Sequence, residues 1–274
     1  MELTQAIPPH DLSRPILTLK NISMRFNNTL ALSNISFELL KGERVAVIGP
    51  NGAGKSTLFN ILAGVLSPTQ GQMDVFGHPP GKEICIAYVP QRSQVDWQFP
   101  VNVVDVVMMG RVRQLGLFRR PRRNDREIVE QALAVVGMTA FAKRQIGELS
   151  GGQQQRVFIA RALAQEAHLM LMDEPLTGLD VKSQEDIFTI LDTLRQRGVT
   201  IMVATHDLNL AAERFDRLML LKQKIISFGQ ASQVFTADLL SQAYSGSMRL
   251  IDTPNGTMFI SDSHYTSGEV HQHG

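Results

Sequence analysis

The segment GPNGAGKST, Gly49 to Thr57, sets glycines, a lysine and two hydroxyls at the spacing G-x-x-x-x-G-K-[ST]. Glycines let a backbone wrap a phosphate chain with successive N–H groups pointing inward, and a helix beginning there adds the positive end of its dipole. Gly49, Pro50, Asn51, Gly52, Ala53 and Gly54 would form the wrap, Lys55 would span the β- and γ-phosphates, Ser56 would ligate Mg²⁺, and Thr57 ends the motif. The loop falls where that chemistry requires it, between the apolar run RVAVI and a helical pattern from Lys55 to about Ala63.

Two further stretches carry compatible chemistry. HLMLMDEP, His168 to Pro175, reads as a buried strand that ends in paired carboxylates. Adjacent strand residues point to opposite sides, so the two acids need not share a task. Asp173 is the candidate for holding Mg²⁺ through water, and Glu174 for polarising an attacking water as general base. In LSGGQQQR, Leu149 to Arg156, Ser150, Gly151, Gly152 and Gln153 open a helix and make a second anion-binding N-terminus. A single triphosphate does not readily need two such sites from one chain.

Taken together these motifs resemble those of the ABC-type ATPases, the nucleotide-binding subunits of ATP-driven transporters. The resemblance extends to about Phe235 and implies ATP and Mg²⁺ as ligands. It also implies a head-to-tail homodimer with two ATP molecules between the protomers, the LSGGQ segment of each closing over the γ-phosphate held by the other. By the same resemblance Gln91 contacts Mg²⁺ and water, Asp180 belongs to a GLD loop crossing the interface, His206 holds the γ-phosphate, and Phe26 stacks on adenine where tyrosine is usual. Stacking needs only a π face, so phenylalanine serves.

One motif set and a short insertion argue against a nucleic-acid-associated ABC ATPase, and the intact Glu174 against a regulator without turnover. The segment VPQR…VDWQFPVNVVDVVMMGR is similar to ATPases of manganese, zinc and iron uptake systems. It implies a divalent-metal importer with membrane permease subunits and an extracytoplasmic metal-binding protein, this subunit lying at the cytoplasmic face and binding no nucleic acid. The alternatives are an importer of siderophores or cobalamin and an ABC ATPase acting outside transport. Trp97, the sole tryptophan, sits beside Phe99 and Pro100 just past Gln91. It is expected to be an exposed anchor for a permease helix; the competing expectation folds its ring back onto the helical insertion.

These residues need elements to place them. Half-buried alternation from about Ile16 to Leu39, the runs RVAVIG, HLMLMD and VTIMVAT, and helical patterns between them predict an α/β chain with a parallel sheet flanked by helices, and the resemblance implies that it is a P-loop NTPase of ABC type. An antiparallel β layer comes first, and a helical insertion spans about Val101 to Ala164, with Asp125 and Ser150 placed to begin helices. The ATP-binding domain is expected over residues 16–245, followed by an extension over 246–274 with a hairpin around Pro254, Asn255 and Gly256 and a disordered end.

The bulk composition agrees with a globular chain: 274 residues, 43% hydrophobic, 19% charged, formal net charge +1. That charge gives no general attraction to nucleic acid. No signal peptide or spanning segment is expected, and the single cysteine, Cys85, reads as a core residue. Seven arginines between Arg111 and Arg126 fit either a solvated loop or a surface for anionic lipid or acidic permease loops. His264, His271 and His273 invite a metal-binding reading, but HQH is a loose pair without a fixed third ligand, and chance tail composition is the favoured reading.

Overall fold

A computed structural model describes residues 15–77, 86–115, 120–244, 248–253 and 256–261. In chain order the elements are β1 (Leu17–Phe26), β2 (Thr29–Leu39), β3 (Arg44–Ile48), α1 (Lys55–Leu62), β4 (Gln70–Val75) and β5 (Ile86–Val89). Then come α2 (Val103–Met108), α3 (Val112–Leu115), α4 (Arg123–Val135), α5 (Gly151–Ala164), β6 (Leu169–Asp173), α6 (Val181–Gln196), β7 (Thr200–Thr205) and α7 (Leu208–Arg214). The chain continues through β8 (Arg217–Lys222), β9 (Lys224–Gly229), α8 (Ala231–Val234), α9 (Ala237–Tyr244), β10 (Met248–Thr253) and β11 (Gly256–Ser261).

The alternating sequence of β1 and β2 gives an antiparallel three-stranded sheet in the order β2-β1-β4. The continuous apolar runs instead form a six-stranded sheet, order β5-β6-β7-β3-β8-β9, in which only β9 runs antiparallel. Strands buried on both faces must be apolar throughout, which is why RVAVI, LMLMD and TIMVAT lack alternation.

Each central strand feeds two cores. Ala46, Ile48, Met170, Met172, Ile201 and Val203 face a cluster shared with the helices between β5 and β6. Their neighbours Val45, Val47, Leu169, Leu171, Met202 and Ala204 face a second cluster with α1 and the antiparallel sheet. By the same alternation Asp173, ending β6, belongs on the α1 side.

Helix starts follow local chemistry. Ser150 caps α5 reciprocally with Gln153, Ser150 Oγ accepting the Gln153 N–H and Gln153 Oε1 accepting the Ser150 N–H. Asp180 and Asp207 cap α6 and α7 through the N–H groups of Ser183 and Leu210. Asp125 does not begin its helix as expected: α4 starts at Arg123, and the Asp125 carboxylate lies one turn in, accepting the Arg122 N–H at 2.9 Å. Its other oxygen is engaged by a group remote in sequence.

That group is Arg111, buried among the insertion helices. Its Nε donates to Asp125 Oδ1 at 3.2 Å, and its Nη1 to the Ala164 carbonyl at 2.9 Å and to Glu166. The Arg122 N–H and the Arg111 guanidinium hold the Asp125 carboxyl below the usual carboxylate range. The arginine-rich stretch is thus not uniformly a solvated loop, since Arg111 is internal, whereas Arg123 pairs with Glu127 in solvent and Arg119 lies outside the described residues. Cys85, Pro254, Asn255 and the three tail histidines also lie outside them; β10 and β11 do pair as an antiparallel hairpin.

Removing one member of a buried ion pair strands the other, a loss of about 3–5 kcal/mol. Arg111→Met should therefore lower the unfolding free energy by about 3 kcal/mol in urea titrations at neutral pH. Asp125 has a depressed pKa, so its contribution should persist in mild acid and vanish as pH falls through that depressed value.

Candidate functional site

The loop after β3 turns into α1 at Gly54, whose φ of 100° is left-handed and whose added Cβ would lie 2.6 Å from Leu32 Cδ2 and 2.8 Å from the Ala31 carbonyl. Only glycine meets both demands. β2 thereby presses on the loop, and the β1–β2 hairpin that carries Phe26 at its tip holds that ring 45% exposed. The Lys55 ammonium folds over the loop, donating to the Gly49 carbonyl at 2.7 Å and the Pro50 carbonyl at 3.2 Å. Lys55 is only 6% exposed, and burial lowers its pKa against the opposing pull of Glu174 and Asp173.

Asp173 is buried at 1% exposure on the α1 side, as the strand alternation requires. Burial raises its pKa, opposed by the Ser56 hydroxyl and Lys55. Its Oδ2 is buried with no hydrogen-bond partner, and the Tyr88 hydroxyl nearby is in the same condition. The two are close enough for Asp173 to reinforce the effect of burial, which pushes the Tyr88 phenol up to about 12. A buried carboxylate oxygen without a donor, next to a serine hydroxyl and a lysine, is a fitting acceptor for a hydrated Mg²⁺.

Glu174 is turned away from Asp173 by a backbone φ of 48°. One of its oxygens, Oε2, collects three neighbours: Gln91 Nε2 donates at 3.2 Å, Thr177 Oγ1 donates at 3.4 Å, and His206 Nδ1 stands 3.7 Å away. Gln91, Asp173, Glu174, His206 and the P-loop are thus gathered at the ends of β3, β5, β6 and β7. Such an arrangement can hold a phosphate chain beside a general base.

Ser150, Gly151, Gly152, Gln153 and Asp180 lie together at the starts of α5 and α6, with neighbours other than the P-loop. A Cβ on Gly151 would sit 2.9 Å from Arg92 Nη1, and one on Gly152 would sit 2.5 Å from Ser183 Oγ. Asp180 holds that serine, accepting its N–H at 2.9 Å and its hydroxyl at 2.8 Å. Gly152 is therefore a packing requirement as well as a means of baring backbone N–H groups, whereas a Cβ at Gly151 would have to displace the end of the Arg92 side chain.

Trp97 departs from expectation. Its ring turns inward, 5.2 Å from the Phe158 ring on α5, and its Nε1 donates to the Arg92 carbonyl at 2.9 Å. The exposed aromatic of the stretch is Phe99, at 57%. An indole needs both a partner surface and an acceptor for its N–H, and α5 with the Arg92 carbonyl supplies both. Tyr88, Arg92 and Thr177 were not singled out from sequence; Tyr88 falls on the Asp173 side of its strand, a period-two signal that could have found it.

The ABC transporter family model matches residues 32–177. The chain is 42% identical to the manganese transport system ATP-binding protein MntB of Halalkalibacterium halodurans, over 90% of this chain and 98% of that protein. It is 45% identical to the zinc transport system ATP-binding protein TroB of Treponema pallidum, over 86% and 89% respectively. Among solved structures it superposes on an inward-facing ABC transporter assigned to the metal-chelate type, with a TM-score of 0.78, 32% identity and coverage of 90% and 98%. A dimeric bacterial ABC transporter cassette matches with a TM-score of 0.68, 28% identity and coverage of 78% and 98%.

Stacking an aromatic on a base contributes about 1–3 kcal/mol. Phe26→Ala should weaken ATP binding by about tenfold or more in equilibrium titration, and Phe26→Tyr should leave it close to wild type.

Proposed function

The chain belongs to the ABC transporter family as a nucleotide-binding, ATP-hydrolysing subunit, and on that premise we propose that it energises import of a divalent transition metal, manganese, zinc or iron. The observation that carries the cargo is likeness at 42–45% identity, over most of the chain, to subunits of manganese and zinc transport systems. Among the described residues no helix is long and apolar enough to cross a membrane. In this reading the subunit is a peripheral protein at the cytoplasmic face, bound to permease subunits that receive metal from an extracytoplasmic binding protein. The ATP-binding domain covers residues 16–245 with the helical insertion at about 101–164, and 246–274 form an extension.

ABC cassettes form dimers, and here two protomers would meet head to tail around two ATP molecules. The P-loop N–H groups and Lys55 bind the phosphates, and Phe26 stacks on adenine. Ser56 and Gln91, and Asp173 through water, would hold Mg²⁺, which neutralises phosphate charge when bound. Glu174 takes a proton from water as the water oxygen bonds to the γ-phosphorus and the bond to the β–γ bridging oxygen breaks, its electron pair leaving with ADP. His206 donates to the γ-phosphate oxygens, and Lys55 compensates the charge that moves onto the leaving group.

The helix N-terminus at Ser150–Gln153 covers the partner's γ-phosphate, and the Asp180 loop crosses the interface. Closure on ATP and reopening after hydrolysis would drive the permease between its two accessible states. Phe99 takes over the role expected of Trp97, as the aromatic free to meet a permease helix.

Glu174→Gln keeps the size of the side chain and removes the base. It should reduce ATP turnover at least about a hundredfold and accumulate an ATP-bound dimer in gel filtration, and normal turnover would refute the assignment. The cargo is tested by uptake of radiolabelled manganese, zinc and ferrous iron in cells lacking the subunit. Restoration of one metal by the wild-type gene, and not by Phe99→Ala, supports import and docking together; restoration of none overturns the metal reading.

A further inference from the structure

Gln91 is followed by Arg92, an arginine that the reaction does not use but that the fold has seated with several contacts. Its Nε and Nη2 both donate to Gln154 Oε1, at 3.3 and 2.9 Å. Gln154 is 4% exposed and is fixed in turn by donating its own Nε2 to the Ile146 carbonyl at 3.1 Å. That second bond decides which end of the amide faces the guanidinium, leaving the oxygen as its acceptor.

Gln154 lies one turn into α5, three residues after Gly151 and therefore on the same helix face. The guanidinium rests against that glycine, since a Cβ there would come within 3.1 Å of Arg92 Cζ. On its other side stands the Trp97 indole, 5.8 Å from the guanidinium carbon to the ring centroid, with Trp97 Nε1 bonded to the Arg92 carbonyl. Trp97 also packs on Phe158, two turns further along α5. Arg92 is thus clasped between the indole and the start of the signature helix, while its neighbour Gln91 touches Glu174 at 3.2 Å.

We propose that Arg92 is a positioning residue: through Gln154 and Gly151 it locks the Ser150–Gln153 helix start to the Gln91 segment, so that one protomer's ATP site sets the pose in which that helix start meets its partner's ATP. The proposal rests on the reading that Ser150–Gln153 complete the partner's site. Ser150 and Gln153 are occupied with capping each other, so the direction of the bared N–H groups is the direction of the helix itself. A clamp on the first turn of α5 is where that direction is controlled. Arginine suits the seat because its planar fork can give two N–H groups to one oxygen while its face lies on an indole, and lysine offers neither.

The test uses the full chain in a Glu174→Gln background, reading ATP-dependent dimerisation by analytical ultracentrifugation and ATP binding to the monomer at dilutions below dimer formation. Arg92→Met, Gln154→Leu and the double variant should each raise the dimer Kd by about tenfold, the factor expected for one charge-assisted hydrogen bond, with no further loss in the double. ATP binding to the monomer should be unchanged, and Arg92→Lys should recover only part of the loss. Unaltered dimerisation, additive losses, or an equal loss of ATP binding by the monomer would each overturn the proposal. If the Glu174→Gln parent itself fails to dimerise with ATP, the two-ATP dimer is refuted and the proposal falls with it.

Discussion

Two opposite charges, Lys55 and Asp173, are sunk at the ends of neighbouring structural layers, and the rest of the site is arranged around keeping both there. Burial works against each, lowering the pKa of one and raising that of the other. A fold seeking stability alone would pair them tightly or replace them with apolar side chains. Instead Lys55 is satisfied by loop carbonyls and one oxygen of Asp173 has no donor at all. In the proposed reading a phosphate chain with its cation answers that residual demand, and ligand affinity is drawn from incomplete solvation of the protein's own groups.

The packing explains how such a demand is tolerated. Strands β3, β6 and β7 are apolar on both faces and each contributes to two cores, which fixes their register against the cost of site charges at their ends. A slip of one residue would exchange the side chains that face the two cores and draw a polar residue from a strand end into the buried span. The insertion helices are fastened differently, by a buried ion pair at Arg111 and by the contacts of Arg92 and Trp97 with α5. Directional polar contacts of this kind can be remade in a second arrangement more readily than a close-packed strand interface can.

What the sequence disclosed follows the range of the interactions involved. The P-loop was legible because its chemistry is local: a strand, a glycine turn and a helix start within one short segment. The fate of Asp173 and Glu174 followed from strand alternation, although the left-handed backbone at Glu174 did not. Trp97 was misread because its polar neighbours in sequence say nothing of Phe158, which is brought to it by the fold. Asp125 was placed at a helix start, yet its carboxylate serves Arg111 as well as the Arg122 N–H. The signature glycines looked like a device for baring N–H groups, and only the positions of Arg92 and Ser183 reveal that Gly151 seats a guanidinium and that Gly152 has no room for a side chain.

Glu174 holds a φ of 48° and is not glycine, a backbone conformation that costs about 1–3 kcal/mol and persists only where surroundings enforce it. Enforcement comes from its N–H, donated to the Ala204 carbonyl at 3.0 Å, and from the turn that Thr177 closes on the Glu174 carbonyl at 3.3 Å. The residue proposed as general base is thus one the fold holds at a standing conformational loss. Glycine or asparagine at position 174 would relieve that backbone cost and remove the carboxylate, so stability and the proposed base make opposite demands on this one residue.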